Sequence, residues 1–194
     1  MRIPTALPTL ETERLTLRPL TLEDAADVFA YASEPEVARY VPWEPHRSQE
    51  DSRQFIAGTL ERSARGGSNT WAIVERASGK VIGSIRMGEV HPVHARADIG
   101  YSLGRRYWNQ GLTTEAVRAV LRFGFEEVGL NRIYAVCHVA NAASERVMQK
   151  VGMTYEGTLR QVALIKGGYE DRKLYAILRR EWRAQQQEAV GPGG

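Results

Sequence analysis

Between Asp98 and Val128 a strand, a tight loop and an amphipathic helix follow one another, and this stretch limits the folds open to the chain. The strand is read over Arg96–Leu103, the loop is built on Gly111, and the helix starts near Thr113. Val117, Val120, Leu121, Gly124 and Val128 recur at i, i+3, i+4 spacing, so one helix face belongs to a core. A glycine loop entering a helix leaves backbone N–H groups pointing outward from the helix start. With the positive end of the helix dipole, they can hold a phosphate or diphosphate. A plain strand-to-helix junction, with Thr113 or Thr114 as the cap, explains the same residues. Two familiar phosphate loops are excluded by spacing: no Gly-Lys-Ser/Thr follows Gly111, and the stretch is not Gly-x-Gly-x-x-Gly.

The remaining chain arranges itself around this unit. Arg14–Arg18 alternates polar and apolar residues, as a half-buried strand does, and Pro19 ends it. Thr21-Leu22-Glu23-Asp24 resembles a capping box and opens a first helix with Leu22, Ala25, Ala26 and Phe29 inward; Pro35 stops regular structure. A second helix starts at Ser48-Gln49-Glu50-Asp51, turns Phe55, Ile56, Thr59 and Leu60 inward, and closes at Gly66-Gly67. The rigid segment Tyr40–Pro45 between them either lines a substrate mouth or packs Trp43 onto the domain.

Strands then follow at Thr70–Arg76, Val81–Gly88, Arg96–Leu103 and Asn131–His138. A short helix runs from Asn141, its cap, to Gly152, and a hairpin pairs Thr158–Ile165 with Tyr169–Leu178 through a Gly167-Gly168 turn. The expected fold is α+β: a mixed, mostly antiparallel twisted sheet of about seven strands, with helices on both faces. Residues 1–10 read as a leader, 11–183 as one domain and 184–194 as a flexible tail.

Composition narrows the function classes. At 43% hydrophobic and 25% charged residues, the chain is ordinary for a globular protein. No apolar run approaches the roughly 20 residues that span a bilayer, so no membrane role is expected. The single cysteine, Cys137, excludes an internal disulfide, fits a cytoplasmic setting and reads as a small core residue. A net charge of +3, with arginines scattered, gives no ground for direct nucleic-acid binding. His46, His91, His94 and His138 lack ligand spacing, so no metal is expected.

Four segments together resemble the GNAT acyltransferase superfamily, in particular its branch similar to the RimJ/RimL-type ribosomal-protein N-acetyltransferases. They are Thr12-Glu13-Arg14-Leu15-Thr16-Leu17-Arg18, Ile99–Leu103 on to Glu115-Ala116, Asn141-Ala142-Ala143-Ser144 to Gly152, and Gly168-Tyr169-Glu170-Asp171. They stand in the family's order, and the match covers roughly Leu10 to Trp182. The resemblance implies the GNAT fold and acetyl-CoA as co-substrate. The family's loop, Gln/Arg-x-x-Gly-x-Gly/Ala, falls here on Trp108-Asn109-Gln110-Gly111-Leu112-Thr113 and departs from the pattern at Trp108 and Thr113. Asn109, Gln110, Gly111, Leu112, Thr113 and Thr114 are thereby implied around the diphosphate. Backbone groups of Ser102 and Leu103 are implied along the pantetheine arm, as in strand addition, and Arg105 or Arg106 would steer the phosphates.

Acyl transfer to an amine needs a neutral nucleophile, a polarised thioester carbonyl and a proton for the departing thiolate. By resemblance Asn141 contacts the arm of the co-substrate, and Ser144 serves the sulfur as donor or acid. Read alone, Asn141 is an N-cap and Ser144 a first-turn residue. Glu89 is the first candidate base, with Asp98 and His138 behind it. The expected reaction is direct transfer in a ternary complex, because Cys137 is not in an activated setting. The acceptor is expected to be the N-terminal α-amine of a protein. A small amine (polyamine, amino-sugar antibiotic or amino-acid derivative) and a non-catalytic acyl-CoA-binding regulatory module stay open, as does a homodimer.

Overall fold

Apolar–polar alternation at some strands and near-continuous apolar runs at the central ones make the strands, and the computed structural model, which describes residues 7–190, joins them into one sheet. The strands are β1 (Leu10–Glu11), β2 (Leu15–Pro19), β3 (Asn69–Glu75), β4 (Val81–Met87), β5 (Arg96–Leu103), β6 (Arg132–His138), β7 (Thr154–Ile165) and β8 (Gly168–Leu178). Their spatial order is β1-β2-β3-β4-β5-β6-β8-β7. Every pairing is antiparallel except β5 with β6. The eighth strand, beyond the seven expected, is β1, where Leu10 and Glu11 pair with Leu17 and Thr16. The leader expected over residues 1–10 therefore ends in a strand, and its residues 1–6 lie outside the described ones.

Helices cover both faces: α1 (Ala25–Ala32), α2 (Pro35–Ala38) and α3 (Gln49–Ala64) on one; α4 (Leu112–Arg122), α5 (Ala142–Lys150) and α6 (Arg179–Val190) on the other. Side-chain alternation divides β3 between them: Trp71 and Ile73 face the α4 side, and Ala72 and Val74 the α1–α3 side. Val117, Val120, Leu121, Gly124 and Val128 are all buried, as their spacing predicts. Beyond α4 the chain widens into π-type turns, Phe123–Val128.

Several local expectations are corrected. α1 buries Ala25, Val28, Tyr31 and Ala32 and leaves Leu22 and Ala26 exposed. A 3-10 turn over Leu22–Asp24 shifts the helical phase, and Asp24 turns inward to Arg18 at 2.6 Å. Pro35 opens α2 as its first residue, where a missing N–H costs nothing. The hairpin turn is Lys166-Gly167, since Ile165 pairs with Gly168. Both turn residues have positive φ (50° and 81°), the twist that a two-residue hairpin needs.

The tail expected from residue 184 is helical through Val190, and only 191–194 lie outside the described residues. Trp182 of α6 stacks on Phe125 (5.9 Å between centroids), and Gln185 Nε2 donates to the Gly152 carbonyl at 3.3 Å.

Candidate active site

The parallel contact between β5 and β6 is short: Arg96, Ala97 and Asp98 against Arg132, Ile133 and Tyr134. Beyond Asp98 the strands diverge. β5 stays paired with β4 through Leu103, and β6 with β8 through His138, which leaves one edge of β5 open. The alternation of bonds decides which groups face that opening. The Gly88 N–H donates to the Asp98 carbonyl and the Gly104 N–H to the Ile82 carbonyl, each at 2.8 Å. Even-numbered residues of β5 therefore turn their backbone to β4, and Tyr101 and Leu103 turn theirs to the gap. The Leu103 carbonyl is taken by Trp108 Nε1 at 2.7 Å. Three polar groups remain for an added extended chain: Tyr101 N–H, Tyr101 C=O and Leu103 N–H. Ser102 contributes its side chain, at 3.2 Å from Ser84 Oγ, rather than the backbone edge expected of it.

Past Leu103 a single 3-10 turn, Arg105–Tyr107, leads into the loop before α4. Asn109 (φ 61°) and Gly111 (φ 78°) are both left-handed, and they reverse the chain so that α4 points its N-terminus at the gap. The backbone N–H groups of Asn109 through Thr114 have no acceptor among the described residues. Six such donors at a helix start can hold a diphosphate without a lysine.

Behind the loop, Glu115 accepts from Thr12 Oγ1 (2.7 Å), from the Arg14 N–H (2.9 Å) and from the Arg14 guanidinium (2.7 Å). Burial pushes the Glu115 carboxyl up, but these bonds outweigh it and hold the group below its usual range.

Across the gap stands the start of α5. Asn141 caps it, its Oδ1 accepting from the Ser144 N–H at 3.0 Å. The Tyr101 hydroxyl lies 2.9 Å from Ser144 Oγ and 3.2 Å from the Ser144 carbonyl. Burial pushes the Tyr101 phenol up, so it stays a neutral donor. The next residue, Glu145, ties α5 to β8: it accepts from Lys173 Nζ and from the Tyr175 hydroxyl, each at 2.7 Å. A cavity of about 510 Å³ joins these parts. Tyr40 and Val41 line it from the α2 side, and Arg146 and Lys150 from α5.

The model of the family described as "Acetyltransferase (GNAT) domain" matches residues 14–154. This chain belongs to the GNAT acetyltransferases. The uncharacterized N-acetyltransferase p20 of Bacillus licheniformis is 35% identical over 174 residues, 90% of this chain and 98% of that protein. The ribosomal-protein-serine acetyltransferase of Escherichia coli is 29% identical over 130 residues, 67% of this chain and 72% of its own. A GNAT-family acetyltransferase structure from Bacillus anthracis superposes with a TM-score of 0.80 at 30% identity, covering 90% of this chain and all of that one.

The chain is thus an acetyltransferase, and its family uses acetyl-CoA as co-substrate. In this acetyltransferase the cavity gathers Ser102, Leu103, Asn109, Gly111, Leu112, Thr113, Thr114, Asn141 and Ser144. Two expected residues stand outside it. Gln110 turns its side chain back to the Arg106 carbonyl (2.9 Å), and Glu89 is exposed just past β4.

The reserve bases each have a partner of their own. Asp98 pairs with Arg86 at 2.5 Å, and His138 stacks on Tyr40 with centroids 5.2 Å apart. Arg105 is held by Glu36 at 2.6 Å. Cys137 is buried, and burial pushes its thiol up to about 11, which suits a core residue.

In the Tyr40–Pro45 segment Tyr40 and Val41 line the cavity, and Trp43 packs inward against His46. Sequence reasoning gave no role to Tyr101, although its position two residues before Leu103 puts both on one face of β5. Among the described residues no three His, Cys, Asp or Glu cluster to hold a metal, and no helix is long and apolar enough to cross a membrane.

Proposed function

We propose that this acetyltransferase moves an acetyl group from acetyl-CoA to a primary amine by direct attack in a ternary complex, with the N-terminal α-amine of a protein as the preferred acceptor in a cytoplasmic setting. One observation carries the reading: the open edge of β5 runs from the six free N–H groups at α4 to the Tyr101–Ser144 pair at α5. When bound, acetyl-CoA supplies the activated thioester. The residues from Asn109 to Thr114 bind its diphosphate through backbone N–H groups. Tyr101 and Leu103 hold the pantetheine arm as an added strand. Ser144, polarised by the Tyr101 hydroxyl, holds a proton beside the sulfur; Asn141 fixes the turn that presents it. The buried Cys137 thiol takes no acetyl group, which favours direct transfer.

The α-amine preference is supported by the Escherichia coli relative, a ribosomal-protein-serine acetyltransferase. An α-amine also loses its proton near neutral pH far more readily than a lysine side chain does. The test is CoA release with peptides bearing free N-terminal Ser, the same peptides N-terminally blocked, and a panel of polyamines and amino sugars. Turnover is expected on the free peptides alone. Turnover on small amines alone overturns the acceptor assignment, and tight acetyl-CoA binding without turnover on any amine overturns catalysis.

A further inference from the structure

We propose that Arg14 is a positioning residue that keeps the Gln110–Gly111 peptide turned with its N–H toward the diphosphate of acetyl-CoA and cancels the Glu115 carboxylate behind it. This rests on the co-substrate site just proposed.

The guanidinium makes three contacts within the protein: Nη1 to the Gln110 carbonyl at 3.0 Å, Nε to Glu115 Oε2 at 2.8 Å and Nη2 to the same oxygen at 2.7 Å. In a trans peptide the C=O and the following N–H point in opposite directions. Holding the Gln110 carbonyl on the Arg14 side therefore aims the Gly111 N–H away from Arg14, and Gly111 lines the cavity. The residues on either side of Gln110 in this turn, Asn109 and Gly111, have left-handed backbones, so the plane between them needs an external hold.

Charge gives the second reason. Glu115 sits in the first turn of α4, close to the free N–H groups, where an uncompensated carboxylate repels a diphosphate. Thr12 and Arg14 engage both of its oxygens. The bend between β1 and β2, which carries Thr12 and Arg14, thus reaches across to set the loop after β5, about a hundred residues away.

The experiment measures the CoA dissociation constant by calorimetry for the wild type, Arg14→Met, Glu115→Gln and the double variant. Arg14→Met is expected to raise it about tenfold with Glu115 present and about threefold when position 115 is Gln, since only the peptide hold is then lost. Pantetheine, which lacks the diphosphate, is expected to bind wild type and Arg14→Met alike. Should Arg14→Met not fold, Arg14→Lys keeps the charge without the fork and is expected to weaken CoA by about threefold.

A change under about twofold in either Arg14 variant overturns the proposal, as does an equal loss with and without Glu115 or an equal loss for pantetheine. If the wild type itself does not bind CoA, the co-substrate site is wrong and this inference falls with it. Wild-type binding with indifferent Arg14 variants removes only the inference.

Discussion

Tyr101 and Ser144 lie 43 residues apart in sequence, yet their oxygens meet at 2.9 Å across the opening between β5 and β6. The contact gives Ser144 something that a first-turn serine lacks: a half-buried neutral phenol within hydrogen-bond reach of its hydroxyl. If Ser144 protonates the departing thiolate, Ser144→Ala lowers kcat by about a hundredfold and leaves the CoA dissociation constant unchanged, because the lost group acts only as the sulfur leaves. Tyr101→Phe keeps the ring and its packing and is expected to lower kcat by about tenfold, again without weakening CoA. Steady-state kinetics with calorimetry on both variants separates the roles. Equal weakening of binding and turnover would make the pair a packing contact between β5 and α5.

The loop and helix from Trp108 to Arg122 form the element to which the proposed binding of acetyl-CoA is assigned, and its charge and its backbone can be tested separately. Gly111 is left-handed, and a Cβ atom added there would meet Arg14 Nη2 first, at 3.6 Å, so a side chain has room but carries backbone strain. Asn and Asp tolerate that conformation about equally. Gly111→Asn therefore reports strain alone, and Gly111→Asp adds a carboxylate beside the free N–H groups. The expected result is a loss of about threefold in CoA affinity for Asn and at least about a hundredfold for Asp, read by calorimetry. Equal losses would show that no diphosphate sits there.

At this scale the sequence was most legible. The strand Arg96–Leu103, the buried face of α4 and the Asn141 cap all follow from period and cap chemistry. What it could not carry were choices made by distant neighbours. The phase of α1 is set by Asp24 reaching Arg18, and the backbone edge of β5 by its register against β4. α6 packs through Trp182 onto Phe125, far earlier in the chain. That Glu89 is exposed and absent from the cavity lining is likewise a matter of how distant elements pack, which its place just past β4 does not show.

Across the whole molecule, the cleft divides the sheet into β1–β5 and β6-β8-β7, joined directly by only three residue pairs. Paired carboxylates reinforce both halves and the helices that bridge them. Asp24–Arg18 anchors the turn before α1, and Glu115–Arg14 ties the bend just before β2 to α4. Glu145–Lys173 ties α5 to β8, and Glu156–Arg132 ties β7 to β6.

All four carboxyls are held below their ordinary values. Burial works against Asp24 and Glu115 but is outweighed by their hydrogen bonds, and the bonds from Lys173 and Arg132 lead for Glu145 and Glu156. A carboxyl whose folded pKa is depressed binds fewer protons folded than unfolded. Its stabilisation is complete above the unfolded value and fades as the pH falls through the folded one.

The ordinary values are 3.8 for Asp24 and 4.5 for the three glutamates, so stability from these pairs should be level above about pH 6 and decline below about pH 4.5. Thermal melts across that range are the measurement. Glu145→Gln and Glu156→Gln together should lower the melting temperature near neutral pH and flatten the acid decline. An acid decline as steep in that double variant as in the wild type would place the pH dependence elsewhere in the molecule.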